Sequence, residues 1–405
     1  MDKLTSFLGL VVMITAAWAM SENKKAIQWR TIITGVLLQI VFGLVILKTN
    51  FGRVIFDNIG KGFNAILGFT AEGAKFLFGN LATPSENLGF IFATMVLPTI
   101  IFMSALMSVL YHIGIMQKVV EVVARVMMKV MRTSGAESLA AAANIFVGQT
   151  EAPLVIKPYV NHMTKSELMC LMTGGMATVA GGVLAAYVGF GIDAGHLLAA
   201  SVMSAPAALV CSKLMVPELE ESETAGVVKV DLPKISTNVI DAAATGASDG
   251  LKLAVNVAAM LLSFIALIAM LNGILSWAGS LLGFPQLSFE LIMGYVNAPV
   301  AWLLGVPWED CLKVGAILGK KLVLNEFVGY LDLIASKAVM SERATILSTY
   351  ALCGFSNFSS IAIQLGGIGT MAPNKRHILA SYGIKSLIAG TLACYMTACI
   401  AGLFI

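Results

Sequence analysis

The chain has 405 residues, 58% of them hydrophobic and 12% charged, with a formal net charge of +3. Soluble domains carry about 25% charged residues, so this balance excludes an ordinary soluble domain and points to an integral membrane protein. The small, dispersed charge argues against nucleic acid as a partner, and six cysteines without CxxC spacing and four scattered histidines offer no metal-ligand pattern.

Residues 4–20 form an apolar run followed by Lys24, Lys25 and Arg30. The cations follow the run, the reverse of a signal peptide, so it reads as a retained first membrane helix whose carboxyl end faces the cytoplasm. Residues 31–47 are the second span. Residues 50–87 mix glycine and phenylalanine with single charges (Arg53, Asp57, Lys61, Lys75). That segment is too broken to span and reads as an amphipathic piece on the outer interface. Residues 88–112 are the third span. Lys118, Arg125, Lys129 and Arg132 then share 117–133 with a valine- and methionine-rich face, the pattern of a basic amphipathic helix on the cytoplasmic side.

The next segment breaks the pattern. Gln149, Thr150 and Glu151 stand in a row in apolar surroundings, bracketed by Gly148 and Pro153, and both brackets oppose a regular helix. Segment 134–156 is 23 residues long, with cationic flanks on both sides (Arg132 before, Lys157 and Lys165 after). A hairpin that enters and leaves on the cytoplasmic side explains this better than a single span. Residues 168–190 are the next span, with interruptions expected at Gly174 and Gly175 and at Gly181 and Gly182. Residues 195–214 bring the chain back to the cytoplasm. Residues 216–236 hold Pro217, Glu218, Glu220, Glu221, Glu223, Lys229, Asp231, Pro233 and Lys234, and read as a solvated loop without a role.

Residues 238–271 form a long helix, steeply tilted if it spans. Residues 288–305, with Pro299 inside, read as interfacial or re-entrant. A second interrupted segment covers 311–336, with Lys320 and Lys321 and then Asn325 and Glu326. The span at 345–365 carries Phe355, Ser356, Asn357, Phe358, Ser359 and Ser360 in its middle. Lys375, Arg376 and His377 mark a cytoplasmic turn before the last span, 378–405. Eight spans counted this way place the loops at 21–30, 113–167, 215–237 and 366–377 inside and both termini outside. Lys320, Lys321 and Lys337 are exceptions to the positive-inside pattern.

Two regions share one plan. Each has a short interrupted segment with a polar–Glu pair (Thr150 and Glu151; Asn325 and Glu326), then an interrupted helix, then a full helix. Glu151 to Gly182 and Glu326 to Asn357 both span 31 positions. One hairpin opens inside and the other outside, so the repeat is inverted, and paired broken segments of this kind point to a transporter site at the membrane midplane. Glu151 and Glu326 are the acids at the breaks, and an ionisable group at that depth is a functional candidate. The plain alternative pairs Glu151 with Lys157 and Glu326 with Lys320 or Lys321. Glu137 and Asp332 lie nearer the segment ends, where water is closer. Gln149, Thr150, Asn325, Asn357, Ser359 and Ser360 add neutral donors and acceptors. The set suits a neutral solute rich in hydroxyl and amide groups, not a phosphate. Phe355 and Phe358 can stack on a ring or simply pack. Asn144 and Val147 before the first break, with Thr178 and Val179 before the second, offer oxygens for Na+; a hydroxyl bonded back to its own helix is the alternative for Thr178. Spacing favours Na+ as the coupling ion, with H+ the alternative.

These residues resemble a known family. Gly148, Gln149, Thr150, Glu151, Ala152 and Pro153 look like the GQ(S/T)ExP signature of concentrative nucleoside transporters, and Asn325–Glu326–Phe327 and the stretch from Gly354 to Ile361 look like its other two signatures. The resemblance implies an all-α membrane protein of elevator type, with eight transmembrane helices, two opposed re-entrant hairpins and a homotrimeric assembly. It implies secondary active uptake of nucleosides, without a catalytic site or a cofactor other than Na+ as coupling ion. It assigns the nucleobase to Gln149, Thr150 and Glu151, with Val183 beside it, and the ribose to Glu326, Asn357 and Ser360, with Phe355 nearby. It assigns Na+ to Asn144, Val147, Thr178 and Val179. Retention of Ala152–Pro153 and of Thr178 to Gly182 resembles the Na+-coupled branch, and the short amino terminus resembles bacterial members, which implies the inner (plasma) membrane.

The expected division is scaffold helices with the outer interfacial segment (1–112), the interfacial helix, first hairpin and transport helices (113–215), cytoplasmic loop, scaffold helix and second interfacial segment (216–310), and second hairpin with the last two helices (311–405). Two rival classes remain on sequence alone. An intramembrane enzyme using Glu151 or Glu326 needs a nucleophile or metal beside the acid, and no histidine lies in the motifs. A channel needs a continuous polar stripe, whereas the polar groups here concentrate at two breaks.

Overall fold

The computed structural model describes residues 2–83, 91–226 and 236–405. Residues 88–90 of the expected third span, and Lys229, Asp231, Pro233 and Lys234 of the polar loop, lie outside the described residues, as do the side chains of Arg53 and Asp57. Uninterrupted apolar runs become long helices at the amino end: α1 (Asp2–Ala19) and α2 (Trp29–Lys48), with Lys24 and Lys25 in the turn between them. Residues 50–78, expected to be broken, form one continuous helix, α3 (Asn50–Phe78). Each of its glycines costs about 1 kcal/mol relative to alanine, but no proline removes a hydrogen bond, so the ladder runs on. Thr49 caps its start and Gly79, at φ 57°, ends it.

The third span is α4 (Phe92–Met95) and α5 (Leu97–His112), joined just ahead of Pro98. α6 (Ile115–Met131) buries Met116, Val120, Ala124, Met127 and Met131 and leaves Lys118, Arg125 and Lys129 exposed, the expected basic amphipathic helix. The first hairpin is α7 (Gly135–Asn144), a turn, and two one-turn helices, α8 (Ala152–Val155) and α9 (Lys157–Val160). Next come α10 (Lys165–Ala177) and α11 (Gly181–Gly189), separated by a single break at 178–180. The interruption expected at Gly174 and Gly175 is absent, because both lie inside α10. A Cβ at 174 would sit 3.0 Å from Asn144 Nδ2, and one at 175 would sit 2.7 Å from Gln149 Cβ. These glycines let the hairpin turn approach the helix backbone; they do not end the helix.

α12 (Ala194–Met215) follows, then α13 (Val239–Leu281), a 43-residue helix that runs past the expected end at 271. α14 (Phe289–Leu304) and α15 (Trp308–Val323) turn on one another by 117°, so they double back instead of forming one span. α15 and α16 (Glu326–Ser336) make the second hairpin. α17 (Glu342–Leu352) and α18 (Phe358–Met371) are the two halves of the expected seventh span, and α19 (Arg376–Phe404) is the last. Among the described residues there is no strand. Seven helical stretches among the described residues are long and apolar enough to cross a membrane. The remaining expected span, the seventh, is split: at 1.5 Å per residue neither α17 nor α18 alone covers a hydrocarbon core of about 30 Å.

The centre of the molecule is α10, α11, α12 and α19, with α1 and α2 packed against α12 and α19. In α10–α11 and in α12, 89% of the most apolar stretch is buried; in α13 only 11% is. α13 packs along α5, where a Cβ on Gly246 would lie 2.6 Å from Ser104 O and one on Gly250 2.8 Å from Ile101 Cα. Two glycines one helical turn apart allow this close backbone contact, the usual device between helices in lipid.

Charge is paired around Glu137 and around Lys320. Glu137, expected near water, is buried: it closes a capping box with Ser134 and meets Lys213 Nζ at 2.8 Å. Lys213 also reaches Glu218 at 3.1 Å and donates to Ser166 Oγ at 3.0 Å. Glu167, in a second capping box with Thr164, accepts from Ser134 and Ser222. The loop assigned no role therefore supplies Glu218 and Ser222 to a clasp across the bases of α7, α10 and α12. In the second hairpin Lys320 bridges Asp332 at 2.6 Å and Glu290 at 2.9 Å.

The inverted plan is present, but the equal 31-position spacing is not its register. Measured between helix N-caps, Glu151 pairs with Ala180 in the first unit and Asn325 with Asn357 in the second, and those intervals differ.

Candidate substrate and ion site

The site forms where both hairpin turns meet both broken helices. Phe355 N–H donates to Thr178 O at 3.2 Å, which ties the two helix breaks together, and Gly181 N–H donates to Phe146 O at 3.1 Å, which ties the first break to the first hairpin. Asn325 caps α16 by accepting from Val328 N–H at 3.0 Å, so Glu326 stands in the first turn of a helix. There the positive end of the helix dipole favours a carboxylate. Asn357 caps α18 by accepting from Ser360 N–H at 3.0 Å and from Ser359 Oγ at 2.7 Å. Its Nδ2 then points at the other helix start and donates to Glu326 Oε2 at 3.0 Å. Tyr187, on α11, donates its hydroxyl to Glu326 Oε1 at 2.8 Å.

The first hairpin joins from the opposite side. Gln149 Nε2 donates to Ser360 Oγ at 3.0 Å, and Gln149 Oε1 accepts from Gln364 Nε2 at 3.1 Å. Glu151 accepts from Gly148 N–H at 2.6 Å, and Thr150 and Glu151 are both exposed, so oxygens of both remain open to a ligand. Val183 is buried in the first turn of α11. Phe355 is half-buried at the second break, whereas Phe358 is 51% exposed.

Two of the expected ion ligands, Asn144 and Thr178, both lie against Gly174. Asn144 is 1% exposed, yet neither Oδ1 nor Nδ2 has a hydrogen-bond partner. Leaving such an amide unpaired costs about 1–3 kcal/mol, which a cation at Oδ1 would offset. Among the described residues the Val147 and Val179 carbonyls accept no hydrogen bond. Thr178 Oγ1 donates back to Gly174 O at 2.8 Å, the helix-bonded arrangement, and this spends its hydrogen while leaving its lone pairs free. The donor set is neutral oxygen, a type of ligand that suits Na+.

The acids at the breaks do not use the neighbouring lysines. Lys320 is held by Glu290 and Asp332, and buried Lys321 donates to Ala351 O at 2.7 Å. Lys157 is exposed and forms no ion pair among those found in the described residues.

Comparison with known proteins agrees with this geometry. A family model described as the Na+ dependent nucleoside transporter C-terminus matches residues 196–402, its N-terminal counterpart matches 8–81, and a nucleoside recognition (gate) model matches 93–194. The chain belongs to the Na+-dependent, concentrative nucleoside transporter family. The uncharacterized transporter YutK of Bacillus subtilis is 48% identical over the full length of both chains. Sodium/nucleoside cotransporter 1 of Homo sapiens is 43% identical, covering 99% of this chain and 64% of its own length. CNTnw, solved inward-facing with substrate bound, superposes with a TM-score of 0.95 at 44% identity, covering 100% of this chain and 98% of that one. A CNTnw variant in an outward-facing state reaches 0.94 at 43% identity, with the same coverage. The nucleoside transporter fold is thus all-α, with two opposed hairpins and of elevator type, and the family transports nucleosides and is not enzymatic. The intramembrane-enzyme alternative falls with that assignment.

Sequence reasoning missed two residues that orient groups of this candidate site. Tyr187 is one aromatic among several on an apolar helix, packed with Phe190, Phe327 and Tyr330, and only the fold aims its hydroxyl at Glu326. Gln364 sits in the apolar half of α18, and a lone buried amide there was the available signal.

Proposed function

We propose that this chain imports nucleosides by symport with Na+. The observation that carries the reading is the junction itself: a carboxylate and an amide held at two facing helix starts, opposite the amide and open acid of the first hairpin. Glu326, Asn357 and Ser360 hold the ribose, since a carboxylate accepts charge-assisted bonds from vicinal hydroxyls. Phe355 lies against the sugar. Gln149, Thr150 and Glu151 read the base, with Val183 against its face. Na+ binds Asn144 Oδ1, the Val147 and Val179 carbonyls and Thr178 Oγ1. The unpartnered Asn144 amide supports this and favours Na+ over H+ as coupling ion.

The moving body comprises both hairpins, α10–α12 and α17–α19. The packing of α1 and α2 on α12 and α19 argues for grouping them with it, which narrows the static frame from the first three spans and α13 to α5 and α13. The apolar, little-buried face of α13 suits lipid and the subunit contacts of a homotrimer. Neutralisation of Lys320 and burial of Lys321 remove two exceptions to the positive-inside pattern, which supports both termini outside an inner (plasma) membrane.

The test is uptake of labelled uridine by proteoliposomes. An inward Na+ gradient at equal pH is expected to concentrate uridine above its outside level, unchanged chemically. Accumulation driven only by a proton gradient would assign the coupling to H+, and downhill equilibration without ion dependence would sink symport.

A further inference from the structure

Gln364 lies outside the set that frames the ligand, yet it decides how one member of that set is presented. Its Nε2 donates to Met172 O at 2.9 Å and to Gln149 Oε1 at 3.1 Å. A peptide carbonyl only accepts, so the α10 backbone dictates which end of the Gln364 amide faces it. Turned over, that amide would set its oxygen against Met172 O. Its Oε1 has no partner that competes to turn it. The second Nε2 hydrogen therefore meets Gln149, and Gln149 must answer with its oxygen. The nitrogen of Gln149 then faces the site. One of its two hydrogens goes to Ser360 Oγ at 3.0 Å, and the other is left for a ligand. Ser360 Oγ, having accepted, keeps its own hydrogen to donate. The close approach at Gly175, where a Cβ would be 2.7 Å from both Gln149 Cβ and Gln364 Nε2, keeps the two amides in register.

We propose that Gln364 is a specificity-determining positioning residue: it holds the Gln149 amide in one orientation, so that the site shows the nucleobase an N–H donor and selects bases with a hydrogen-bond acceptor at that point. An amide free to turn over would satisfy donor and acceptor alike and read neither. A fixed one penalises the mismatched base, because buried polar groups are then left unpaired. The inference rests on the reading of Gln149 as a base contact.

The experiment compares kcat/KM for uridine with that for two uridine analogues, one lacking the 2-oxygen and one lacking the 4-oxygen. In the wild type one analogue is expected to fall about tenfold or more below uridine. Gln364→Met is expected to shrink that ratio about fivefold, and Gln364→Asn, which keeps an amide without its reach, to behave alike. In a Gln149→Ala background Gln364→Met should change the ratio no further, since it acts through Gln149. Competition binding to the purified protein reports the same ratio for a variant that transports poorly. If Gln149→Ala alters the ratio while Gln364→Met lowers uridine and analogues by one common factor, Gln364 only packs and the proposal is overturned. Wild-type transport of both analogues at uridine's rate overturns it as well. If Gln149→Ala itself leaves the ratio intact, the base-contact reading fails first and this inference falls with it.

Discussion

Each oxygen of Glu326 has one protein partner: Tyr187 holds one and Asn357 the other. A carboxylate so held is oriented before any sugar arrives, and the remaining lone pairs on each oxygen accept from a ligand. A hydrogen bond to a charged group is worth about 1.5–3 kcal/mol, so Tyr187→Phe should weaken apparent uridine affinity about tenfold or more while the protein still folds. Uptake kinetics read against thermal stability check this, and unchanged kinetics would refute it. Glu326→Gln should abolish uptake with folding retained, and wild-type uptake in that variant would remove the ribose assignment. Glu326 was legible in sequence because a charge at membrane depth is too costly to be idle. Tyr187 was not, because a hydroxyl on an aromatic helix residue is informative only once its neighbour is known.

At the scale of elements, the breaks were legible where the chain had to stop bonding to itself. Gly148 and Pro153 announced the first hairpin, and Asn325 and Asn357 proved to be helix caps. Gly174 and Gly175 misled because glycine serves two ends, ending a helix and admitting a neighbour, and only packing tells them apart. Glu137 misled for a similar reason: position along a segment says little about depth once α12 brings Lys213 alongside. Removing one partner of a buried ion pair costs about 3–5 kcal/mol, because the other charge is stranded. Glu137→Ala should therefore lower the melting temperature sharply. Glu137→Leu with Lys213→Met should recover much of the loss. A double variant as unstable as the single would show that the clasp acts through Ser166, Glu167 and Glu218 instead.

For the whole molecule, the division into frame and moving body makes a mechanical prediction. Gly182, at the start of α11, faces α5, where its Cβ would lie 3.6 Å from Ser104 Oγ. A disulfide between Gly182→Cys and Ser104→Cys should stop uridine uptake under oxidation and release it on reduction, with each single variant insensitive to both. Uptake by the cross-linked protein would mean that α5 and α11 travel together, and the proposed division would be wrong.

Composition, the cationic flanks and the two polar interruptions determined by themselves that this is a helical membrane protein with paired re-entrant hairpins. Those features are local: lipid forbids unpaired backbone and unpaired charge, so any interruption must be written openly in the chain. The tertiary structure alone decided which glycines break a helix, which lysines are spent on Glu290, Asp332 and Ala351, and that Tyr187 and Gln364 orient the groups at the site. Each of these depends on contacts between residues far apart in sequence, where a hydrogen bond made or missed in a low-dielectric interior outweighs local preference.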